Sequence, residues 1–267
     1  MRKYVQVIKM NMQISFAYKW NLLLSSLMDI FRIIAEIIFW KVFFDTTASN
    51  TVKGYNYNSM ITYYIFMFIM TTLMNTNDIG WKIANDIKNG TLNNLIIRPI
   101  NYIGYYLSES LSQKLIQLII VIITFVPLFI MQASNITINI SFKQSLLLPL
   151  ILLFSLILNF LINVIISLLV FWLTEVTSFF FLKDVLLDFL SGRVFPIDLL
   201  PISIVNLFGV LPFMYCTFFP INILTKGITN DVFFMGLFMQ IMWIGILYIT
   251  IKLLWSLGIK KYTGTGA

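Results

Sequence analysis

The sequence predicts an all-α integral membrane protein: six transmembrane helices, an interfacial elbow helix at the N-terminus, a cytoplasmic helix between spans 2 and 3, and a re-entrant Pro-rich segment between spans 5 and 6. Three observations lead there. Of the 267 residues 59% are apolar and only 11% charged, against roughly 45–50% and 25% in globular proteins. The mean hydropathy is +0.90, so the folded chain lacks the charge to cover a surface in water and needs an apolar solvent, the bilayer. Apolar runs of about 20 residues, enough to cross ~30 Å of hydrocarbon as a helix, recur along the chain.

Ahead of the first run, Arg2, Gln6, Lys9 and Gln13 recur at helical spacing with Val5, Ile8 and Met12 opposite, as in a helix lying in the membrane interface. Long apolar stretches follow at Asn21–Phe44, Met60–Asn77, Leu107–Met131, Leu146–Leu173 and Val232–Trp255. A shorter Phe-rich one, Val176–Leu190, begins after a polar Thr174-Glu175 break that reads as a tight turn between antiparallel helices. Between Ser191 and Gly227 the apolar sequence is cut by Pro196, Pro201, Pro212 and Pro220. Each removes a backbone donor, which favours a re-entrant or interfacial segment over a seventh span at Ile202–Leu224.

Orientation follows the lysines and arginines. Arg2, Lys3, Lys9 and Lys19 precede the first span, Lys82, Lys88 and Arg98 lie between the second and third, and Lys260 and Lys261 follow the last. The opposite loops carry Lys53, Lys143, Arg193 and Lys226. By the positive-inside rule both termini are cytoplasmic, and a seventh span would put Lys260 and Lys261 outside. The first stretch contains Asp29, Arg32 and Glu36 and is too long for a cleavable signal peptide, so it is expected to stay as an anchor. With no internal repeat and no low-complexity linker, residues 1–267 read as a single domain.

There is no histidine, and Cys216 is the single cysteine. Histidine-based metal sites, Ser-His-Asp and Cys-His nucleophiles and internal disulfides are thereby excluded. The net charge is +7, but its basic residues are scattered between apolar runs, which fits anionic lipid rather than nucleic acid.

Polar residues inside the spans are the candidates for function. Asp29, Arg32 and Glu36 share one helical face at i, i+3 and i+7. Each such charge costs roughly 2.5–3.5 kcal/mol at a span centre, so the face is either an ion-paired packing seam or a substrate or ion contact. Asp184 and Asp188 stand at i and i+4 in the fifth span beside Lys183, and Arg32 is an expected cross-helix partner for one of these acids. Along the fourth span Ser155, Asn159, Asn163 and Ser167 form a polar stripe, either hydrogen-bonded glue between helices or the lining of a polar route.

The link from Asp78 to Tyr102 is the longest basic-polar insertion. Trp81, Ala84 and Ile87 are spaced as one helix face, Asn89-Gly90 is a stop, and Leu92, Leu95 and Ile96 follow. This reads as a short helix presenting Ile87 and Leu92 to another protein, with a helix lying flat on the membrane as the alternative. Nothing matches G-x-x-x-x-G-K-[ST], and Gly90-Thr91 lacks the lysine of a phosphate-binding loop.

Two stretches carry a family resemblance. Asn85-Asp86-Ile87-Lys88-Asn89-Gly90-Thr91-Leu92-Asn93-Asn94-Leu95-Ile96-Ile97-Arg98-Pro99 resembles the charged-x-Gly-Thr-Leu-x-x-Leu-x-x-x-Pro stretch between the second and third spans of ABC-2 type transporter permeases. Phe189-Leu190-Ser191-Gly192-Arg193-Val194-Phe195-Pro196-Ile197-Asp198-Leu199-Leu200-Pro201 is similar to the Ser-Gly-x-x-Phe-Pro-x-x-x-Leu-Pro stretch after their fifth span. The order of spans agrees too. The resemblance implies a permease half-unit that pairs with itself or a sister permease and docks one cytoplasmic ABC ATPase. No cofactor is expected on this chain; ATP and Mg belong to the partner. Coupling to the ATPase would fall on Asp86, Ile87, Lys88, Asn89, Gly90, Thr91 and Leu92. Asp29, Arg32, Asp184 and Asp188 become candidates for the dimer seam or pathway, beside Glu36, Asn159 and Asn163. Gly192, Pro196, Pro201 and Pro212 would belong to the re-entrant segment.

The expected function is the membrane permease of an ABC-2 type exporter in a bacterial plasma membrane, consistent with an Asn-, Ile- and Lys-rich composition. The alternative is a stand-alone secondary transporter that uses buried acids for proton coupling, although inverted repeats are not evident. Drug, peptide, lipid and glycan exporters share this composition, so the substrate is not legible.

Overall fold

The computed structural model describes residues 2–17, 19–46, 51–97, 101–173 and 175–262, without the side chains of 2–5, 14–17, 19, 21–23, 25–27, 29, 124 and 128. Arg98, Pro99, Thr174 and the side chain of Asp29 thus lie outside the description. The apolar runs become helices, because a backbone out of water must satisfy its own donors and acceptors. In chain order they are α1 (Arg2–Ala17), α2 (Lys19–Thr46), α3 (Tyr57–Met74), α4 (Asn77–Lys88), α5 (Asn93–Ile96), α6 (Tyr102–Met131), α7 (Phe142–Leu168), α8 (Thr177–Leu190), α9 (Ile202–Val210), α10 (Phe218–Thr225) and α11 (Asn230–Gly258). Among the described residues, extended pairing is limited to an isolated bridge between Val52 and Tyr55.

Three helices, α6, α7 with its 3-10 extension to Phe171, and α11, are each 29 or 30 residues long and apolar enough to cross a membrane. α2 has 28 residues but carries Asp29, Arg32 and Glu36. α3 has 18 residues, and the 14 of α8 reach only about 21 Å at 1.5 Å per residue. α3 starts from a capping box, in which Asn56 Oδ1 accepts from the Ser59 N–H and Ser59 Oγ accepts from the Asn56 N–H, both at 2.8 Å. It stops at Asn75, whose ψ of 122° is extended. The expected span to Asn77 is therefore shorter, and Asn77 already opens α4.

One end of the bundle gathers α4, the starts of α6 and α8 and the ends of α7 and α11. Tyr102 stacks on Trp255 there with ring centroids 3.6 Å apart, and Trp81 on Phe180 at 4.3 Å. At the opposite end the Thr137 N–H donates to Thr62 Oγ1 at 3.0 Å, and the Asn139 N–H to the Leu224 carbonyl at 2.9 Å. The larger core joins α4, α7 and α11, and a second joins α2, α3 and α6. α1 packs along α6 with Gln6, Lys9 and Gln13 exposed.

The Pro-rich segment is a closed hairpin. Pro196, Pro201 and Pro212 each stand one residue ahead of a helical turn, at Ile197, Ile202 and Phe213, where a missing N–H leaves no bond unmade. Pro212 separates α9 from α10, and nine residues of α9 cover only about 14 Å, so Ile202–Leu224 is not the continuous span of the rival reading. At the neck, Asp198 accepts from Lys226 and, at 3.0 Å, from the Tyr55 hydroxyl. At the tip, the Tyr215 carbonyl accepts from Ser155 Oγ at 3.0 Å and Gln240 Nε2 at 3.1 Å, and the Val210 carbonyl from Trp243 Nε1 at 3.1 Å. Those donors sit midway along α7 and α11, so the segment runs from one end of the bundle to its middle and back.

Candidate functional site

α4 is amphipathic, and what packs on it decides where each face points. Ile79, Ile83, Ala84 and Ile87 are buried. Ile87 is 5% exposed and Leu92 0%, which corrects the expectation that both project toward a partner protein. They share a core with Ile103 and Tyr106 of α6, because the chain after α4 folds back beneath the helix end.

Gly90 makes that reversal with φ +75°, a left-handed conformation that a β-carbon would strain. Asp86 organises the turn. One carboxylate oxygen accepts from the Thr91 hydroxyl and the other from the Tyr106 hydroxyl on α6, both at 2.7 Å, while its carbonyl accepts from the Leu92 N–H at 2.9 Å. Lys82 pairs with Glu109 of α6, and Lys88 with Glu175 at 3.4 Å. The Thr177 hydroxyl and N–H, backed by Lys88, hold the Glu175 carboxyl down at about 2. Asn85, Asn89, Thr91, Asn93 and Asn94 remain exposed, as do Ile96 and, at 80%, Ile97.

The polar stripe of α7 is buried and bonds several other elements. Ser155 bonds the hairpin tip, and Asn163 Nδ2 donates to Thr76 Oγ1 at 2.8 Å. Ser167 Oγ donates to the Gly80 carbonyl of α4 at 2.7 Å. Asn159 turns back to the Ser155 carbonyl of its own helix at 3.0 Å.

The acids of α8 find cations close by in sequence. Asp184 lies 2.7 Å from Lys183, and Asp188 lies 3.5 Å from Arg193. Among the described side chains no ion pair joins either acid to Arg32, whose guanidinium instead lies over the Phe68 ring, 5.5 Å from its centroid. A long cationic side chain facing an aromatic ring is stabilised by the ring quadrupole without a carboxylate. Arg32, Asp188 and Arg193 nevertheless line one cavity of about 170 Å3 with Thr71, Thr72 and Asn75. A wider one of about 550 Å3 continues past Arg32 and Glu36 to Phe39, Trp40, Tyr64 and Phe195. So Arg32, Glu36 and Asp188 gather around adjoining cavities, whereas Asn159 and Asn163 belong to the packed seam of α7 and the half-buried Asp184 bonds Lys183 and Asn77. Tyr63 and Tyr64 close the wall by donating to the Gly192 and Val194 carbonyls at 2.6 and 2.7 Å.

Sequence reasoning does not single out Asn77, Gly80, Tyr106 or Asp198. The Asn75-Thr76-Asn77 interruption is a signal for the first, since three polar residues end an apolar run. Asp198 offers only an isolated acid among prolines.

A sequence model described as ABC-2 family transporter protein matches residues 30–266. No curated protein and no solved structure matches the chain. The family match takes in α4, the Gly90 turn, the cavities around Arg32 and the proline hairpin, and the chain belongs to the ABC-2 family of transporter proteins.

Proposed function

We propose that this chain is the permease subunit of an ATP-driven exporter, paired with itself or a sister permease and docked to a separate cytoplasmic ABC ATPase. The observation that carries the reading is the α4 platform: a helix and Gly90 turn anchored to α6 through Asp86 and Lys82, with a polar and partly apolar rim left exposed. A docking surface gains from such pre-organisation, because little entropy is lost on binding. The rim contacts would be Asn89, Thr91, Ile96 and Ile97, with Ile87 and Leu92 supporting them from below.

In this reading α2, α3, α6, α7, α8 and α11 are the six spans, α1 is the elbow helix, and the α4 end faces the cytoplasm of a bacterium with both termini. The proline hairpin is re-entrant from the outer side, its freed carbonyls satisfied by Ser155, Gln240 and Trp243 as the bilayer requires. Asp29, Arg32, Glu36 and Asp188 face the seam between permeases and its pathway. ATP and Mg bind the partner.

Purifying the tagged chain from its host in mild detergent tests this. One ATPase bearing a phosphate-binding loop should accompany it and hydrolyse ATP in the complex. A preparation without any ATPase that still moves protons across proteoliposomes would establish the secondary carrier instead.

A further inference from the structure

Lys183 lies inside α8 with 3% of its side chain exposed. An ammonium has three hydrogens to place, and here each has an acceptor: Asn77 Oδ1 of α4 at 2.6 Å, Asn163 Oδ1 of α7 at 2.9 Å and Asp184 at 2.7 Å. The acceptors are themselves bound. Asn77 Nδ2 donates to the two Asp184 oxygens at 3.1 and 3.2 Å, and Asn163 Nδ2 reaches the Thr76 hydroxyl at 2.8 Å. One cation closes a ring through α4, α7 and α8.

Packing tightens the same junction. A β-carbon on Gly80 would come within 2.9 Å of the Phe180 ring and 3.2 Å of Asn163, so the two helices approach as closely as glycine permits. Ser167 bonds the Gly80 carbonyl, and Trp81 stacks on Phe180. If α4 left α8, a buried ammonium would lose an acceptor where water is scarce. The join to α3 is different in kind: Asn75 and Thr76 interrupt the helix, with Asn75 extended. Ties to α6 at Asp86 and Lys82 hold the other flank of α4 but reach only the first turns of that helix.

We propose that Lys183 is a positioning residue that locks α4 and α8, with the stretch of α7 around Asn163 between them, into one rigid unit joined to α3 at the Asn75-Thr76 break. Displacement of α4 by the ATPase is then delivered to the far end of α8, where Asp188 and Arg193 line the cavity at Arg32. Packed elements shift as bodies rather than deform continuously. The consequence for transport rests on the permease reading; the rigid unit does not.

The test uses Asn77→Ala and Lys183→Met in the full chain with its ATPase. Asn77→Ala leaves Lys183 two acceptors, so it serves if Lys183→Met fails to fold. Without nucleotide, hydrogen exchange in Asn77→Ala should accelerate about tenfold in α4 and α8 together and stay unchanged in the Tyr57–Tyr64 half of α3. Faster exchange in α4 alone would overturn the rigid unit. With a cysteine at Val194, which is 38% exposed, the native Cys216 is buried and does not compete. ADP and vanadate should change the thiol-labelling rate several-fold in the otherwise native complex. Asn77→Ala should keep a bound, hydrolysing ATPase and lose that change; a change retained in both variants would overturn the transmission role. If no ATPase accompanies the native chain, the permease reading fails, and the exchange measurement still judges the unit.

Discussion

Ile87 and Ile97 are the same residue in the same short link, yet one is 5% exposed and the other 80%. Truncating a buried isoleucine loses its transfer free energy and leaves a cavity, together about 2–5 kcal/mol, whereas an exposed change stays within about 0.5 kcal/mol. Ile87→Ala is expected to lower the thermal unfolding midpoint of the detergent-solubilised protein by several degrees. Ile97→Ala should leave that midpoint in place and weaken retention of the ATPase. Finding the midpoints equal would mean that Ile87 is not held in the core. The contrast also shows the limit of periodicity. Trp81, Ala84 and Ile87 announce an apolar face, but whether a partner or α6 covers it depends on the turn that follows, and that turn rests on the contact between Asp86 and Tyr106.

At the scale of elements, helices near the six apolar runs are legible because a bilayer imposes length and hydrophobicity together. Their ends are less so. α3 gives way to α4 at Asn75, where a polar triplet rather than a charge or proline ends the run. The prolines mark where Ser191–Gly227 breaks. They do not reveal that Asp198 and Lys226, 28 residues apart, meet at its neck, nor that Tyr215 reaches Ser155 and Gln240 of other helices. The stripe on α7 is visible as a stripe, but its partners Thr76 and Gly80 are fixed by tertiary packing. Two substitutions probe these elements. Gly90→Val forces a β-branched residue into a left-handed conformation, at about 1–2 kcal/mol, and should preserve membrane abundance while reducing ATPase co-purification; full retention would show that the turn tolerates another backbone. Asp198→Asn removes the charge that Lys226 meets. Limited trypsin digestion should then cut after Lys226 faster than in the native protein, and an unchanged rate would mean that the neck is held by Tyr55 and the surrounding packing alone.

The whole molecule has two polar ends joined by apolar walls. Leu115, Ile119, Ile122 and Ile123 of α6, Ile202 and Leu207 of α9, and Val232, Ile249 and Leu253 of α11 lie exposed along those walls, more apolar surface than a protein in water tolerates. Among the described side chains, several buried or half-buried charges have partners close by: Lys183 in its ring of acceptors, Arg193 on Asp188, Lys82 on Glu109. In the proposed permease the energy for transport comes from a separate ATPase, which makes contact with it at the α4 end the central claim. A photo-crosslinking residue placed at Asn89, and separately at Ile97, measures that contact in intact cells. The expected product is a covalent adduct with a single cytoplasmic protein bearing a phosphate-binding loop, obtained from both positions and not from a control at Lys53 on the opposite end. Adducts confined to lipid, or formed equally from Lys53, would contradict the account.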